Sequence, residues 1–312
     1  MKKVSIRNIF GLLAGVIFIL LVVEGIYLVQ VGMLVDARHK SLQITADNKA
    51  LLIDTYLNEE KQKIIYISSL KEFKNVALNP NNKQTIAIAK KKIDELNSFF
   101  PGICITDNKG IVIVAKNDLP GMNYGNQKYY SLENKKIVFE PYYDTIRKNN
   151  YLAVVSPIYN NDVIKDKIIG TIVFDLDFET ITGLMKVSID NNSEEAYLID
   201  ESGLFLSGSK YIGGGNKDGI LIQEAKSDGA KACLDDLKKY QKSNGDIEDH
   251  EEKIIPYLNY IGEDVFGTHT YLKTMTGCVI AEEKVAEVAK FPSVKDIIDI
   301  FKNVFYLLLN NK

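Results

Sequence analysis

The rhythm of hydrophobic and polar positions changes along this chain, and each change marks an element. After Lys2, Lys3 and Arg7 comes an uncharged run, Ile9 to Val23, which continues past Glu24 as Gly25 to Val35. About 20 apolar residues cross a bilayer, and a basic flank stays on the cytoplasmic side. A cleaved signal peptide has a shorter apolar region followed by a small-x-small site, and no Ala-x-Ala follows Val23, so an uncleaved anchor is expected. Glu24 falls near the outer end of that span, where its carboxylate reaches the interface.

From Leu42 the pattern turns amphipathic. Leu42, Ala46, Ala50, Ile53, Leu57, Ile64, Ile67 and Leu70 recur at helical spacing among Lys, Glu, Asp and Asn. This predicts one long helix that continues outward from the span and stops at Asn79-Pro80, because the residue before proline disfavours the α region. Ile86, Ala89, Ile93 and Leu96 predict a second helix. At Pro101 the runs become short and β-like: Ile103 to Thr106 and Ile111 to Ala115, joined by Asp107-Asn108-Lys109-Gly110 as a hairpin. Strands are predicted at Tyr151 to Pro157 and Ile168 to Leu176.

Ala196 to Leu206 repeats the arrangement of Cys104 to Val114, an apolar run, Asp-x-x-Gly and a second apolar run, here with Asp200 and Gly203. Asp-x-x-Gly turns are common, but this one heads a second strand-rich segment, so two modules with related beginnings are expected, joined by Thr180 to Ile189. The second holds a Gly213-Gly214-Gly215 loop, a helix around Ala230 to Tyr240, and strands at Thr268 to Leu272 and Gly277 to Ala281. Ile297 to Leu309 is too short and too polar to span, and reads as an amphipathic helix or an incomplete second span.

Composition narrows the function. A formal net charge of −3 over 312 residues offers no basic field for nucleic acid. Cys104, Cys233 and Cys278 are odd in number and far apart; small buried hydrophobes are the ordinary reading, with a Cys233–Cys278 bridge open. There is no Gly-x-Ser-x-Gly, and the histidines are His39, His250 and His269, so a nucleophile with base and orienter is missing and no enzyme is expected. Gly213 to Lys217 lacks the Lys-Ser/Thr pair of a phosphate loop. His250, His269, Cys233 and Cys278 lack zinc-ligand spacing. No cofactor and no metal are expected.

An anchor, a long helix and two sheet modules in series resemble the double Cache extracytoplasmic sensors of chemoreceptors, histidine kinases and cyclic-dinucleotide enzymes. The resemblance covers about Asp36 to Phe291. It rests on Phe100 to Gly110, Val155-Ser156-Pro157-Ile158-Tyr159, Ile169 to Asp175, Gly267 to Tyr271 and Gly277 to Glu282. It implies an α+β fold: an N-terminal transmembrane helix, a long amphipathic helix and two PAS-like antiparallel-sheet modules. The expected divisions are 1–35 for the cytoplasmic tip and anchor, 36–80 for the stalk helix, 81–180 for a membrane-distal ligand-binding module, 181–291 for a membrane-proximal module and 292–312 for a juxtamembrane segment or incomplete second span.

In this family the distal module binds the ligand, and an amino-acid-binding subgroup has Arg-x-aromatic-aromatic, Tyr-x-Asp and a later Asp. Here these fall on Gln127-Lys128-Tyr129-Tyr130, on Tyr142-Tyr143-Asp144 and on Asp175. Gln127 replaces the arginine, and Met122, with Tyr124 close by, replaces a tyrosine five residues earlier. Gln127, Tyr129, Tyr130, Tyr142, Asp144 and Asp175 are the expected ligand-binding residues. Two carboxylates and tyrosine faces suit an ammonium group, whereas Gln127 cannot give a carboxylate the two-pronged charge of Arg. An amine, a quaternary ammonium or a differently held amino acid is the expected ligand. Plain roles compete: Tyr129 and Tyr130 as core-and-rim aromatics, Asp144 as a turn cap, and Asp175 as a strand-end charge. The other expected partners are the membrane and, through the long helix, a second copy in a homodimer. The alternative function is a free-standing anchored solute-binding or adhesion protein without signalling output.

Overall fold

The computed structural model describes residues 6–96, 99–116, 120–125, 137–145, 147–161, 167–187, 193–212, 219–242 and 255–288. Gln127, Tyr129, Tyr130, the triple-glycine loop and the expected 292–312 segment lie outside these residues. Among the described residues no helix is long and apolar enough to cross a membrane.

Helix α1 (Ile6–Ser68) joins the expected anchor and stalk without a break. The stalk does not run on to Asn79 as the spacing predicted. It stops where Ser68 and Ser69 turn their hydroxyls back on the carbonyls of Ile65 (2.9 Å) and Tyr66 (2.7 Å), satisfying terminal acceptors locally. A short α2 (Lys71–Leu78) and α3 (Lys83–Leu96) follow.

The distal sheet comprises β1 (Gly102–Asp107), β2 (Val112–Ala115), β3 (Val138–Asp144), β4 (Asn149–Tyr159) and β5 (Ile168–Asp177), in the antiparallel order β2-β1-β5-β4-β3. Helix α4 (Phe178–Met185), capped by Asp177 on the Glu179 amide, leads to the proximal module. There β6 (Glu194–Ile199), α5 (Asp228–Lys242), β7 (Tyr257–Leu258), β8 (Asp264–Tyr271) and β9 (Cys278–Lys284) build a sheet of order β6-β9-β8-β7, and the short α6 (Val285–Val288) closes it.

The related beginnings of the two modules are visible in the turn. Asp107 accepts the amides of Lys109 and Ile111, and Asp200 those of Ser202 and Leu204; Gly110 and Gly203 both take φ 85°, a left-handed conformation that glycine adopts without strain. Each sheet then has two apolar faces. One packs on α1, with Leu42, Ile53, Leu57 and Ile64 fully buried among Val154, Ile172, Leu198 and Val279. The other faces away from α1: Cys104, Val112, Ala153, Val155 and Val173 in the distal module, and Tyr197, Ile199, Phe205 and Ile280 beneath α5 in the proximal one. Cys233 of α5 and Cys278 of β9 are joined as a disulfide, and the buried Cys104 stays outside it. Between the modules, Asn150 donates to the Ile220 carbonyl at 2.8 Å.

Candidate functional site

On the face of the distal sheet away from α1, β5 places Asp175 between Gly102 of β1 and Ala153 of β4. Neither neighbour has bulk, which leaves room above the carboxylate. A methyl group on Gly102 would overlap Asp175 Oδ2 and crowd Arg147 Nη1 at 2.8 Å, so the close approach requires glycine here. Asp175 is 5% exposed, and burying a charge so deeply demands partners.

Its partners come from the β3–β4 hairpin. Tyr142 of β3 donates its hydroxyl to Asp175 Oδ1 at 2.8 Å. The turn after Asp144 holds Lys148 at φ 51° and swings Arg147 back over the sheet. Arg147 donates through Nη2 to Asp175 Oδ2 (2.5 Å) and to the Tyr142 oxygen (2.9 Å), and through Nε to Asp144 Oδ2 (2.6 Å). Its guanidinium lies 4.0 Å from the centroid of the Tyr151 ring, within cation–π range. Asp144 also accepts the Arg147 amide at 2.8 Å, so it is both turn cap and ion-pair partner.

Burial works against the Arg147 charge, but the field and hydrogen bonds of Asp175 outweigh it and raise the guanidinium above its ordinary pKa. The Tyr142 hydroxyl is pushed up as well, first by burial and then by the Asp175 charge. Arg147 Nη1 is buried and has no hydrogen-bond partner among the described residues. Among the described residues the cluster brings together two carboxylates, one guanidinium and an Nη1 donor without a hydrogen-bond partner.

Of the expected residues, Tyr142, Asp144 and Asp175 therefore meet through Arg147, which the sequence reading did not include. The signal was present as an arginine three residues beyond the Tyr-x-Asp motif, but only the hairpin brings it onto Asp175. Met122 and Tyr124 pack beside Cys104 and Val173 on the same face.

Two modules in series, each an antiparallel sheet that packs one face on the same long helix, define an α+β double-module domain. The profile of the dCache_1 family, described as Cache domain, matches residues 33–284, and the chain belongs to that family. Solved structures share the fold at low identity. The sensor domain of the Vibrio cholerae histidine kinase DctB aligns at 14% identity and TM-score 0.56, covering 82% of this chain and 98% of that one. The ligand-binding domain of the Pseudomonas aeruginosa amino acid chemoreceptor PctC, in complex with GABA, aligns at 14% identity and TM-score 0.54, covering 79% and 100%. That of PctB from the same organism, with L-Gln, aligns at 14% and 0.53, covering 85% and 98%. No curated protein matches the sequence.

Proposed function

We propose that this ligand-sensing module is the extracytoplasmic input of a membrane-anchored receptor, and that its distal module binds an amino-containing small molecule, an amino acid in preference to a simple amine. The observation that carries this reading is Arg147. It returns to the pocket the cation that Gln127 removes from the motif, and its Nη1 is buried with no protein partner among the described residues. A zwitterion meets both charges: its ammonium sits against Asp175 and the Tyr142 ring, and its carboxylate against Arg147 Nη1. By the motif, Gln127, Tyr129 and Tyr130 complete the proposed set of ligand-binding residues. The amino acid and GABA complexes of the structural neighbours PctB and PctC support the ligand class.

The anchor rests on the basic tip at Lys2, Lys3 and Arg7 and on α1, where Phe18, Leu21, Ile26, Leu28, Met33 and Leu34 are all exposed and call for a non-aqueous surrounding. A disulfide between Cys233 and Cys278 fits an oxidising compartment. α1 then carries the signal. Arg38 grips the proximal sheet through Glu283, with Nη2 at 2.6 Å from Oε1, and a homodimer would form along the same helix.

The test is a thermal-shift screen of the full chain in detergent against amino acids, the amines obtained by decarboxylating them, dicarboxylates and purines. A ligand at about 100 times its dissociation constant stabilises the fold by about 2.7 kcal/mol. An amino acid should lead, and Asp175→Ala should abolish its effect. A dicarboxylate as the best ligand, or unchanged affinity in Asp175→Ala, refutes the pocket chemistry. For topology, Lys226→Cys should react with an impermeant thiol reagent in intact cells while Ser5→Cys stays protected.

A further inference from the structure

The proximal module repeats the tyrosine–carboxylate pair of the distal site. Glu282 stands three residues before α6, as Asp175 stands three before α4. Across the strands, Glu282 faces Glu195 and Gly267 where Asp175 faces Gly102 and Ala153. Tyr257 pairs with Val265 where Tyr142 pairs with Tyr151, and it donates to Glu282 Oε1 at 2.9 Å as Tyr142 donates to Asp175 at 2.8 Å. Gly267 and Gly229 leave the space that the Tyr257 hydroxyl fills, since a methyl group on either would overlap it.

The cation differs. The β3–β4 turn delivers Arg147 to Asp175, whereas the β7–β8 turn delivers Tyr260, which donates to Glu195 Oε2 at 2.6 Å. Glu282 and Glu195 are 2% and 5% exposed and lie side by side, and neither has a Lys, Arg or His ion-pair partner among the described residues. Glu282 Oε1 also accepts the Tyr197 hydroxyl at 2.9 Å, while Oε2 is buried with no hydrogen-bond partner among the described residues. Aromatic rings surround the pair: Tyr197, Phe205 and Tyr260 stand 5.2 to 5.3 Å apart, centroid to centroid. A hollow of about 690 Å³, lined by Ser227, Asp228, Asn259 and Tyr260, opens beside the Tyr260 end of the cluster.

Two adjacent buried carboxylates without a cation are costly, and the cost is relieved by a proton or by a bound cation. We propose that the proximal module is a second ligand site, for ammonium or a small protonated primary amine, held on Glu282 Oε2 with Glu195 as second carboxylate and Tyr197 and Tyr260 as cation–π walls. It is independent of the ligand bound in the distal module. Its position suits signalling. The next residue on β9, Glu283, faces the opposite side of the sheet and holds Arg38 of α1, so a cation settling on Glu282 acts on the strand that grips the helix.

The probe is methylammonium chloride, compared with sodium chloride at equal ionic strength, on the full chain in detergent, with melting temperature and isothermal titration as readouts. Because burial raises the Glu282 carboxyl to about 7, its proton competes with the cation, and affinity should fall about tenfold between about pH 8 and pH 6. Glu282→Gln should weaken methylammonium more than tenfold, while Asp175→Asn leaves this site intact. Titration near pH 7 in buffers of different ionisation enthalpy should show proton release by the unmutated protein, a readout that survives if Glu282→Gln fails to fold. Equal melting temperatures in the two salts at pH 8, methylammonium binding without proton release, or loss of binding in Asp175→Asn with retention in Glu282→Gln would each overturn the proposal.

Discussion

Replacing Arg147 with alanine should separate the two jobs given to this residue. In the protein as it stands, one guanidinium holds Asp144 and Asp175, which are 8% and 5% exposed, and its side chain is itself only 16% exposed. Arg147→Ala takes the guanidinium away from both buried carboxylates, and breaking a buried pair from one side typically costs about 3–5 kcal/mol. The lower end applies here, because Tyr142 and the hairpin amides still donate to the acids. A loss of about 3 kcal/mol corresponds to a melting temperature lower by about 6–12 °C for a unit of this size. The double variant Asp144→Asn with Arg147→Ala should recover part of that loss, since one of the two buried charges is gone and contacting residues couple. Binding should move in opposite directions for two ligand types. An amino acid loses its carboxylate contact and weakens at least tenfold, whereas the amine made by decarboxylating it gains access to freed carboxylates and tightens. Differential scanning fluorimetry and isothermal titration read both effects. A melting temperature within about 1 °C of the original, or equal weakening of amino acid and amine, would refute the assignment of Arg147 as ion-pair hub and carboxylate anchor.

Other outcomes follow from named contacts. Burial, opposed by the Tyr197 and Tyr257 hydroxyls and reinforced by Glu195, raises Glu282 to about 7 from its ordinary value of 4.5. The folded state therefore holds this proton more tightly than the unfolded chain does. Stability from this group is full below about pH 4.5 and fades as pH rises through about 7, by up to about 3 kcal/mol, and urea titrations of Glu282→Gln should show that slope removed. Reducing Cys233–Cys278, which spans 45 residues of sequence, should cost about 4 kcal/mol in the loop-entropy account and lower the denaturation midpoint, an effect absent in Cys233→Ala. Arg38→Ala takes the guanidinium away from Glu283, 3% exposed, and from Glu194, 8% exposed. Since Arg38 is itself one-third exposed, about 2 kcal/mol is expected, read as faster hydrogen exchange along β9.

Much of the architecture is legible in the sequence because it depends on local chemistry. The 3.6-residue spacing from Leu42 to Ile67 marks the face of α1 that is buried, and Asp107 with Gly110 and Asp200 with Gly203 mark the hairpin turns through bonds spanning only a few residues. The same turns announced two related modules. Tyr142, Asp144 and Asp175 could be singled out through their resemblance to a motif, and three of those side chains share one cluster. Local pattern failed where tertiary pairing decides. The end of α1 at Ser68 lies twelve residues before Pro80, the proline taken as its stop, because two serine hydroxyls satisfy the terminal carbonyls and α2 turns to pack on the distal sheet. Arg147 reaches Asp175, and Tyr257 reaches Glu282, through strand register across 28 and 25 residues of chain. The Cys233–Cys278 bridge depends on how α5 lies across β9. A one-residue slip in a strand would turn each of these side chains to the opposite face, so a linear sequence names the charged groups, and only the assembled sheets determine which of them meet.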